Sequence, residues 1–288
     1  MANVLRTLVY DGQVSLTVAD TTDIVKKAIQ LHKLSPASAY VFGKALSAMV
    51  FASACLKGEK GEISLSLKTD GDAVDIAVSG NHKLNLRGYI ESTRMQGDCN
   101  AQTENLALGQ NGSVTIIRDD GYARPFVGSC AVPQNATVDT AFERYYADSE
   151  QLPTRIVTDV RLDNKGRCEY AAVAVLQPLP FADGAALSAT QTADLLGLLS
   201  TAKERGVEQS VSESFTVDKT VWETRTANYK CNCSRPYLKK LLISLGEKQM
   251  RQIILEDGAV RVHCHYCNKD YAFTDKDADN MFRRKGNK

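Results

Sequence analysis

Four of the eight cysteines in this 288-residue chain lie within one short segment near its C-terminal end. Cys231 and Cys233 form a CxC pair, and thirty residues later Cys264 and Cys267 form a CxxC pair. Zinc prefers four tetrahedral ligands and accepts thiolates well, so two cysteine pairs brought together by a folded excursion make a closed site. The spacing therefore predicts that these four cysteines bind one Zn²⁺ per chain in a small C-terminal domain.

The spacing alone leaves two roles for this site open. One is a zinc ribbon that only folds its own module. The other is a redox switch, because zinc-bound sulfur is held as thiolate, the form that oxidants attack. Metal binding supplies on the order of 10 kcal/mol of folding free energy in small zinc modules, so oxidative loss of the ion should unfold the module.

The other four cysteines have no closely spaced partner. Cys55 lies in an apolar helical stretch and is expected to be a small core residue, and Cys99 in "GDCN" is expected to be an exposed loop thiol. Cys130 and Cys168 border predicted strands. We expect none of the four to take part in the metal site.

The four histidines are not predicted to act as ligands. His263 and His265 flank Cys264, but four sulfurs already complete a tetrahedral shell. His32 and His82 stand alone at a helix end and in a turn, where a polar surface position is the simplest interpretation.

Length and composition indicate a globular protein with more than one unit. A chain of 288 residues is long for a single core, and 43% hydrophobic residues is ordinary for such proteins. The N-terminal sequence lacks the pattern of a signal peptide, and no window approaches the eighteen or so apolar residues of a membrane span. We expect a cytoplasmic protein without membrane contact, in which the thiols are kept reduced.

The charge is distributed unevenly. Residues 229–288 hold thirteen Lys and Arg against seven Asp and Glu, whereas the rest of the chain holds 22 against 27. The tail is thus +6 and the body −5, so the body has no broad attraction for phosphate.

A zinc-ribbon protein that binds nucleic acid is the alternative function. It would use basic side chains of the tail on phosphates, namely Lys239, Lys240, Arg283, Arg284 and Lys285. The acidic body and the lack of a base-stacking aromatic motif make it the weaker interpretation, and we expect no nucleic-acid partner. A zinc enzyme is disfavoured because four sulfur ligands leave no open position, and no nucleotide-binding or hydrolase motif is present. We expect no catalytic residues.

The pattern along the body predicts an α+β fold with an antiparallel sheet and packed helices. Hairpins are predicted around Asp11-Gly12 and around residues 164–166, and a meander over residues 62–91. Ser35 and Pro36 are predicted to start a buried helix, as N-cap and first helical residue.

Composition changes after the body. Residues 200–228 hold nine Ser and Thr and nine charged residues, with Val207, Val211 and Phe215 as a thin helical stripe. Such a segment is marginally stable alone. It is either a solvated linker or a folding switch held in place by its neighbours.

The order of these features resembles the bacterial redox-regulated heat-shock chaperones, the 33 kDa chaperonins. A C-terminal CxC and CxxC follow an α+β body and a polar linker, and several further stretches look like family segments in the expected order. They are "YDGQVSLTVADTT", "CLKGEKGEISLSLKTDGD", "LRGYIE", "VPQNATVDTAFERYYADSEQLPT" and "LQPLP". The resemblance covers nearly the whole chain.

The resemblance implies a function and a mechanism. The reduced protein would bind zinc and be inactive, and oxidation would form the disulfides Cys231–Cys233 and Cys264–Cys267, release zinc and unfold the zinc domain and linker. The exposed surfaces would hold unfolded or partly unfolded client proteins without ATP during oxidative stress. A homodimer is also implied.

The implied domains are a core domain at 1–180, a metastable, mostly helical linker at 181–228 and a redox-switch domain at 229–288. One departure from the family pattern is Ala171-Ala172, where paired glycines are usual. It puts the local strand geometry in question.

Overall fold

The computed structural model describes residues 3–122, 124–217 and 219–282. The chain forms two compact units, Met1–Lys230 and Cys231–Lys288. The predicted α+β class with antiparallel strands is confirmed, but the strands of the first unit divide between two sheets where a single sheet was predicted.

The first sheet has five antiparallel strands in the order β10-β1-β2-β9-β8. Their bounds are β1 (Val4–Val9), β2 (Val14–Asp20), β8 (Arg155–Leu162), β9 (Cys168–Pro178) and β10 (Glu223–Arg225). The predicted hairpin between β1 and β2 is confirmed, and both Asp11 and Gly12 have the positive φ angles that a type I′ turn requires. The second predicted hairpin is β8 and β9.

The second sheet has six strands in the order β11-β5-β4-β3-β6-β7. The bounds are β3 (Glu62–Lys68), β4 (Asp75–Asn81), β5 (Asn85–Ile90), β6 (Ser113–Asp119), β7 (Phe126–Ala131) and β11 (Asn228–Tyr229). The strands β3, β4 and β5 form the predicted meander. All pairs are antiparallel except β11 with β5.

Helix α2 (Pro36–Ala54) occupies the centre of the first unit and contacts both sheets. It begins as predicted, since the Ser35 side chain accepts a hydrogen bond from the backbone N–H of Ser38 and Pro36 stands in the first turn. Contrary to expectation, α2 is long and apolar enough to cross a membrane, but 94% of its apolar window is buried within the protein. That burial is typical of a core helix.

Three further helices complete this part of the first unit: α1 (Thr22–His32), α3 (Ala101–Leu108) and α4 (Val138–Ser149). The end of α1 corrects one prediction, because His32 is buried with 8% of its surface exposed. Its Nε2 lies 3.1 Å from the Tyr229 hydroxyl. His82 is half-buried, with Nδ1 3.0 Å from the Leu56 carbonyl oxygen.

The segment predicted as a mostly helical linker contains α5 (Gly184–Thr192), α6 (Leu195–Arg205), α7 (Val207–Ser214) and β10. These helices pack on the face of the first sheet opposite to α2 and form a second apolar cluster with it. The cluster contains Leu5, Val9, Val14, Leu16, Val18, Tyr170, Ala172, Ala174, Leu176, Ala186, Leu195, Leu198, Leu199 and Val211. We call the sheet's share of this cluster the outer face: Leu5, Val9, Val14, Leu16, Val18, Tyr170, Ala172, Ala174 and Leu176.

Strand β9 is buried on both sides because the first sheet lies between two layers of helices. Val173 and Val175 point into the core around α2, whereas Ala172 and Ala174 face the second cluster. Ala171 and Ala172 pair regularly with β8. The register between β8 and β9 shifts at another place, between Arg161 and Leu162 of β8.

The second unit is small. It contains α8 (Arg235–Leu245), α9 (Glu247–Asp257), the hairpin β12 (Val260–Cys264) with β13 (Lys269–Phe273), and α10 (Asp275–Phe282). Its apolar core consists of Leu238, Leu242, Met250, Ile254, Val260, Phe273 and Ala278. So few core residues give limited stability to a domain of this length.

Candidate metal centre

Two local structures present the four clustered cysteines. Cys231 and Cys233 lie in the extended segment before α8, whose first turn is capped by the Ser234 side chain accepting from the backbone N–H of Tyr237. Cys264 ends β12, and Cys267 lies in the turn before β13. The backbone amides of Cys267 and Asn268 both donate to the carbonyl oxygen of Cys264, at 3.3 and 2.8 Å, and this closes the turn.

The folded unit brings the four sulfur atoms together, all within 4.8 Å of one another. The Sγ atoms of Cys231 and Cys264 are 3.7 Å apart, and those of Cys233 and Cys267 are 3.1 Å apart. Four sulfurs at tetrahedral Zn–S distances of about 2.3 Å would be separated by roughly 3.8 Å. All four cysteines are free thiols. The donor set and its spacing therefore fit a single ion that prefers tetrahedral sulfur ligands.

The environments of the sulfurs differ. Cys267 is buried, and the other three are half-buried. Burial alone would raise the pKa of Cys233, but hydrogen bonds from Tyr271 and the neighbouring cysteines outweigh it and lower the pKa to about 7. Burial raises the pKa of Cys231 to about 11. Of these two thiols, Cys233 therefore ionises more readily.

Tyr271 was not singled out from the sequence. It lies on β13, opposite Val262, and its hydroxyl oxygen is 3.4 Å from the Cys233 sulfur. The alternation of β13 indicates that Tyr271 shares a strand face with Phe273, but no local pattern in the sequence indicates which sulfur its hydroxyl reaches.

The flanking histidines lie outside the sulfur group. His263 Nδ1 is 2.8 Å from Asp270 Oδ1, and the ring centroids of His263 and His265 are 5.1 Å apart. Both histidines are exposed. Across residues 3–122, 124–217 and 219–282, the four thiols are the one group of three or more His, Cys, Asp or Glu that is close enough to share an ion.

The other four cysteines differ from the clustered ones in sequence position, burial and thiol pKa. Cys55 and Cys130 are half-buried beside the core around α2, and Cys99 is exposed. Cys168 is buried, and this burial raises its pKa to about 11. Burial also raises the pKa of Cys55 and Cys130, and partial desolvation of the sulfur together with the charge of Asp98 raises the pKa of Cys99. Thiols with raised pKa values hold little of the reactive thiolate at neutral pH.

The basic residues considered for phosphate binding are only partly available. Asp277 accepts from Arg235 at 2.7 Å and lies 3.2 Å from Lys239 Nζ, so Lys239 already has an anionic partner. Lys240 is exposed. Arg283, Arg284 and Lys285 lie outside the described residues.

Comparisons with known proteins give one consistent result. A family model described as Hsp33 protein matches residues 2–274. The 33 kDa chaperonin of Clostridium novyi is 30% identical over 287 residues, with 97% of each chain covered, and that of Bacillus pumilus is 26% identical, with 98% of each covered. A crystal structure of the 33 kDa chaperonin (heat shock protein 33 homolog) from Thermotoga maritima matches with a TM-score of 0.82 at 21% identity, over 98% of each chain.

Proposed function

Because this chain belongs to the Hsp33 family, we propose that it is a redox-regulated chaperone that holds unfolded or partly unfolded client proteins without ATP under oxidative stress. The observation that carries the proposal is the group of four free thiols within 4.8 Å of one another. Thiols that are close enough to share a metal are also close enough to be oxidised in pairs.

In the reduced state, Cys231, Cys233, Cys264 and Cys267 would hold one Zn²⁺. Bound zinc would keep the four sulfurs as thiolates and tie β12, β13 and the segment before α8 together. The small core of the second unit makes this metal cross-link necessary, since an apolar cluster of seven buried side chains offsets little of the ordering cost of about 1–2 kcal/mol per residue.

Oxidation would convert the thiols into the disulfides Cys231–Cys233 and Cys264–Cys267. Each disulfide forms from two thiolates, one peroxide and two protons, with release of two water molecules. Two of the present sulfur contacts run between the pairs, Cys231 to Cys264 and Cys233 to Cys267. Disulfides within the pairs would therefore separate the CxC segment from the CxxC turn, and the four sulfurs could no longer hold an ion.

Unfolding would then extend into the linker. Helix α7 has no side-chain N-cap, and its buried residues are Ser210 and Val211. Strand β10 spans three residues. Elements this short depend on docking to their neighbours, so we expect them to open more easily than the long strands and helices around α2.

The outer face is the surface that we propose holds clients. While α5, α6 and α7 remain docked, its large aliphatic side chains are covered, among them Leu5, Leu16 and Leu176. Once the linker leaves, the face becomes a broad apolar patch on a stable sheet, which suits promiscuous binding of unfolded chains. The active form is proposed to be a homodimer in the cytoplasm, with no nucleic-acid or membrane partner.

The test is the aggregation of a heat-unfolding client protein, followed by light scattering with reduced and with peroxide-treated chaperone in the absence of ATP. We expect suppression by the oxidised form only, together with release of one zinc per chain. Peptide mapping of the oxidised sample should find the two disulfides within the pairs. Suppression by the reduced, zinc-loaded form, or disulfides that join Cys233 to Cys267, would contradict the proposed switch.

A further inference from the structure

The Cys233 sulfur has a phenolic neighbour that the switch described above does not use. The Tyr271 hydroxyl oxygen lies 3.4 Å from Cys233 Sγ, within hydrogen-bond range for sulfur. The Tyr271 ring packs against the small core of the second unit, and the pairing of β13 with β12 fixes its position on the strand. The hydroxyl is therefore held at the sulfur by the fold of the hairpin.

The direction of this hydrogen bond follows from the chemistry of the pair. A thiolate has no proton to give, so with Cys233 ionised the phenol must donate to the sulfur. The backbone amide next to it has another partner, because the Cys233 N–H donates to Cys231 Sγ at 3.5 Å. In the CxxC turn, the amides of Cys267 and Asn268 donate to a carbonyl oxygen. The Tyr271 hydroxyl on β13 is thus a side-chain donor for Cys233 Sγ beside the neighbouring cysteine sulfurs, and those sulfurs would lose their protons on binding zinc.

We propose that Tyr271 is a positioning residue that slows the reaction of the Cys233 thiolate with peroxides and so sets the oxidant level at which the switch responds. This inference rests on the proposed function. A hydrogen bond to a thiolate withdraws electron density from the lone pair that attacks the oxidant. Removing the donor makes the sulfur more nucleophilic.

The step that Tyr271 controls is the first oxidation. The Cys233 thiolate attacks one oxygen of hydrogen peroxide, the O–O bond breaks, and the products are the sulfenic acid of Cys233 and hydroxide. The thiolate of Cys231 then attacks the sulfenic sulfur, which forms the S–S bond and releases a second hydroxide. The phenol keeps its proton throughout. Its role is to donate a hydrogen bond to the sulfur lone pair and not to transfer a proton.

The decisive variant is Tyr271→Phe, which removes the hydroxyl and keeps the ring in the core. In the reduced, zinc-loaded protein treated with hydrogen peroxide, we expect Cys233 to be oxidised roughly threefold to tenfold faster, the change that corresponds to loss of a hydrogen bond of typical net strength. Oxidation is followed by quenching, alkylation and mass spectrometry of each cysteine. The control is Tyr237→Phe on α8, a tyrosine of the same unit that is 48% exposed, and it should react at the wild-type rate.

A spectroscopic measurement separates this role from a structural one. With Co²⁺ in place of zinc, the thiolate-to-cobalt charge-transfer band should move to lower energy in Tyr271→Phe and stay in place in Tyr237→Phe. An unchanged band together with an unchanged rate for Cys233 would overturn the proposal, as would equal acceleration of all four cysteines, because the latter indicates general loosening.

Both measurements are independent of client binding. The inference about Tyr271 can therefore be wrong while the oxidised protein still suppresses aggregation, and it can be right when the oxidised protein does not. Should Tyr271→Phe fail to fold, the unaltered chain loaded with ¹¹³Cd provides the test. A hydroxyl proton of Tyr271 that couples to the cadmium nucleus supports the hydrogen bond to sulfur, and a hydroxyl proton without coupling overturns it.

Discussion

Lys44 lies in the middle of α2 with 6% of its surface exposed, and two carboxylates neutralise it. Its Nζ is 2.7 Å from Glu104 Oε1 and 3.4 Å from Asp139 Oδ2. Burial alone would lower the pKa of Lys44, but the two carboxylates outweigh it and raise the pKa. As long as its partner carboxylates carry their charge, the raised pKa of Lys44 stabilises the fold at pH values below the unfolded pKa of about 10.4, and this contribution is lost as pH rises through the folded value.

Replacing Lys44 with methionine should therefore destabilise the first unit by about 3–5 kcal/mol, because Glu104 loses its countercharge in a buried position. Urea unfolding of the reduced protein measures the change. The double variant Lys44→Met with Glu104→Gln is the matched control and should recover part of the loss. If Lys44→Met alone lowered the free energy of unfolding by less than about 1 kcal/mol, the Lys44–Glu104 pair would contribute no more than an ordinary surface ion pair.

The cysteines outside the cluster should be dispensable for the switch. A variant with serine at Cys55, Cys99, Cys130 and Cys168 should still release zinc and suppress aggregation after peroxide treatment, because raised pKa values keep these thiols protonated at neutral pH. The measurements are zinc release and light scattering. A folded, zinc-loaded quadruple variant that no longer responds to oxidant would show that the switch extends into the first unit.

Among the elements, α7 is docked through few side chains, since its buried residues are Ser210 and Val211. Val211 is fully buried against the outer face, and the Phe215 ring packs edge-on against Tyr10 at a centroid distance of 5.7 Å. Val211→Ala removes two buried methyl groups and should destabilise the linker by about 1.5 kcal/mol. The result expected is faster hydrogen exchange of residues 207–214 and partial suppression of aggregation by the reduced protein.

The control for this prediction is Leu196→Ala on α6, where the leucine side chain is 56% exposed and its loss should change neither quantity. Increased exchange in α7 without any gain in chaperone activity would mean that uncovering this part of the outer face is not the activating event.

Local sequence signals predicted elements with strong periodicity or caps, and missed those that depend on distant partners. The start of α2 followed from Ser35 and Pro36. Of the predicted helical stripe, Val207 and Val211 lie in α7, whereas Phe215 follows the helix in an extended conformation. Helix α3 was not predicted because its eight residues carry no clear apolar stripe, and Glu104 on it is buried through its pairing with Lys44. Strand β10 pairs with β1 across more than two hundred residues, which no local pattern encodes.

The candidate site shows the same division. The spacing of the four cysteines was sufficient to predict that they come together, because two pairs joined by a folded excursion have few other uses. Tyr271 could not be assigned to Cys233 from the sequence, since that contact depends on how β13 is placed against the segment before α8. Contacts between separate backbone segments are set by tertiary packing, not by spacing.

At the scale of the whole molecule, the two units should differ in their dependence on metal. Removing zinc with a chelator under reducing conditions should unfold the second unit, whose core is small, and leave the core around α2 intact. Hydrogen exchange is the appropriate measurement: amides in α8, α9 and β12 should lose protection, and those in α2 and β9 should keep it. Retained protection of the second unit without metal would show that its apolar core is sufficient.

The docking of α5, α6 and α7 on the outer face has a consequence for how clients leave. A segment tethered beside its own binding surface competes at an effective concentration on the order of millimolar, which no free client matches. If the proposed switch operates, reduction of the thiols and refolding of the second unit should return the linker to a folded form that competes with clients for the outer face. The competitor would then be part of the same chain, and discharge of the client would begin with a reductant and a metal ion.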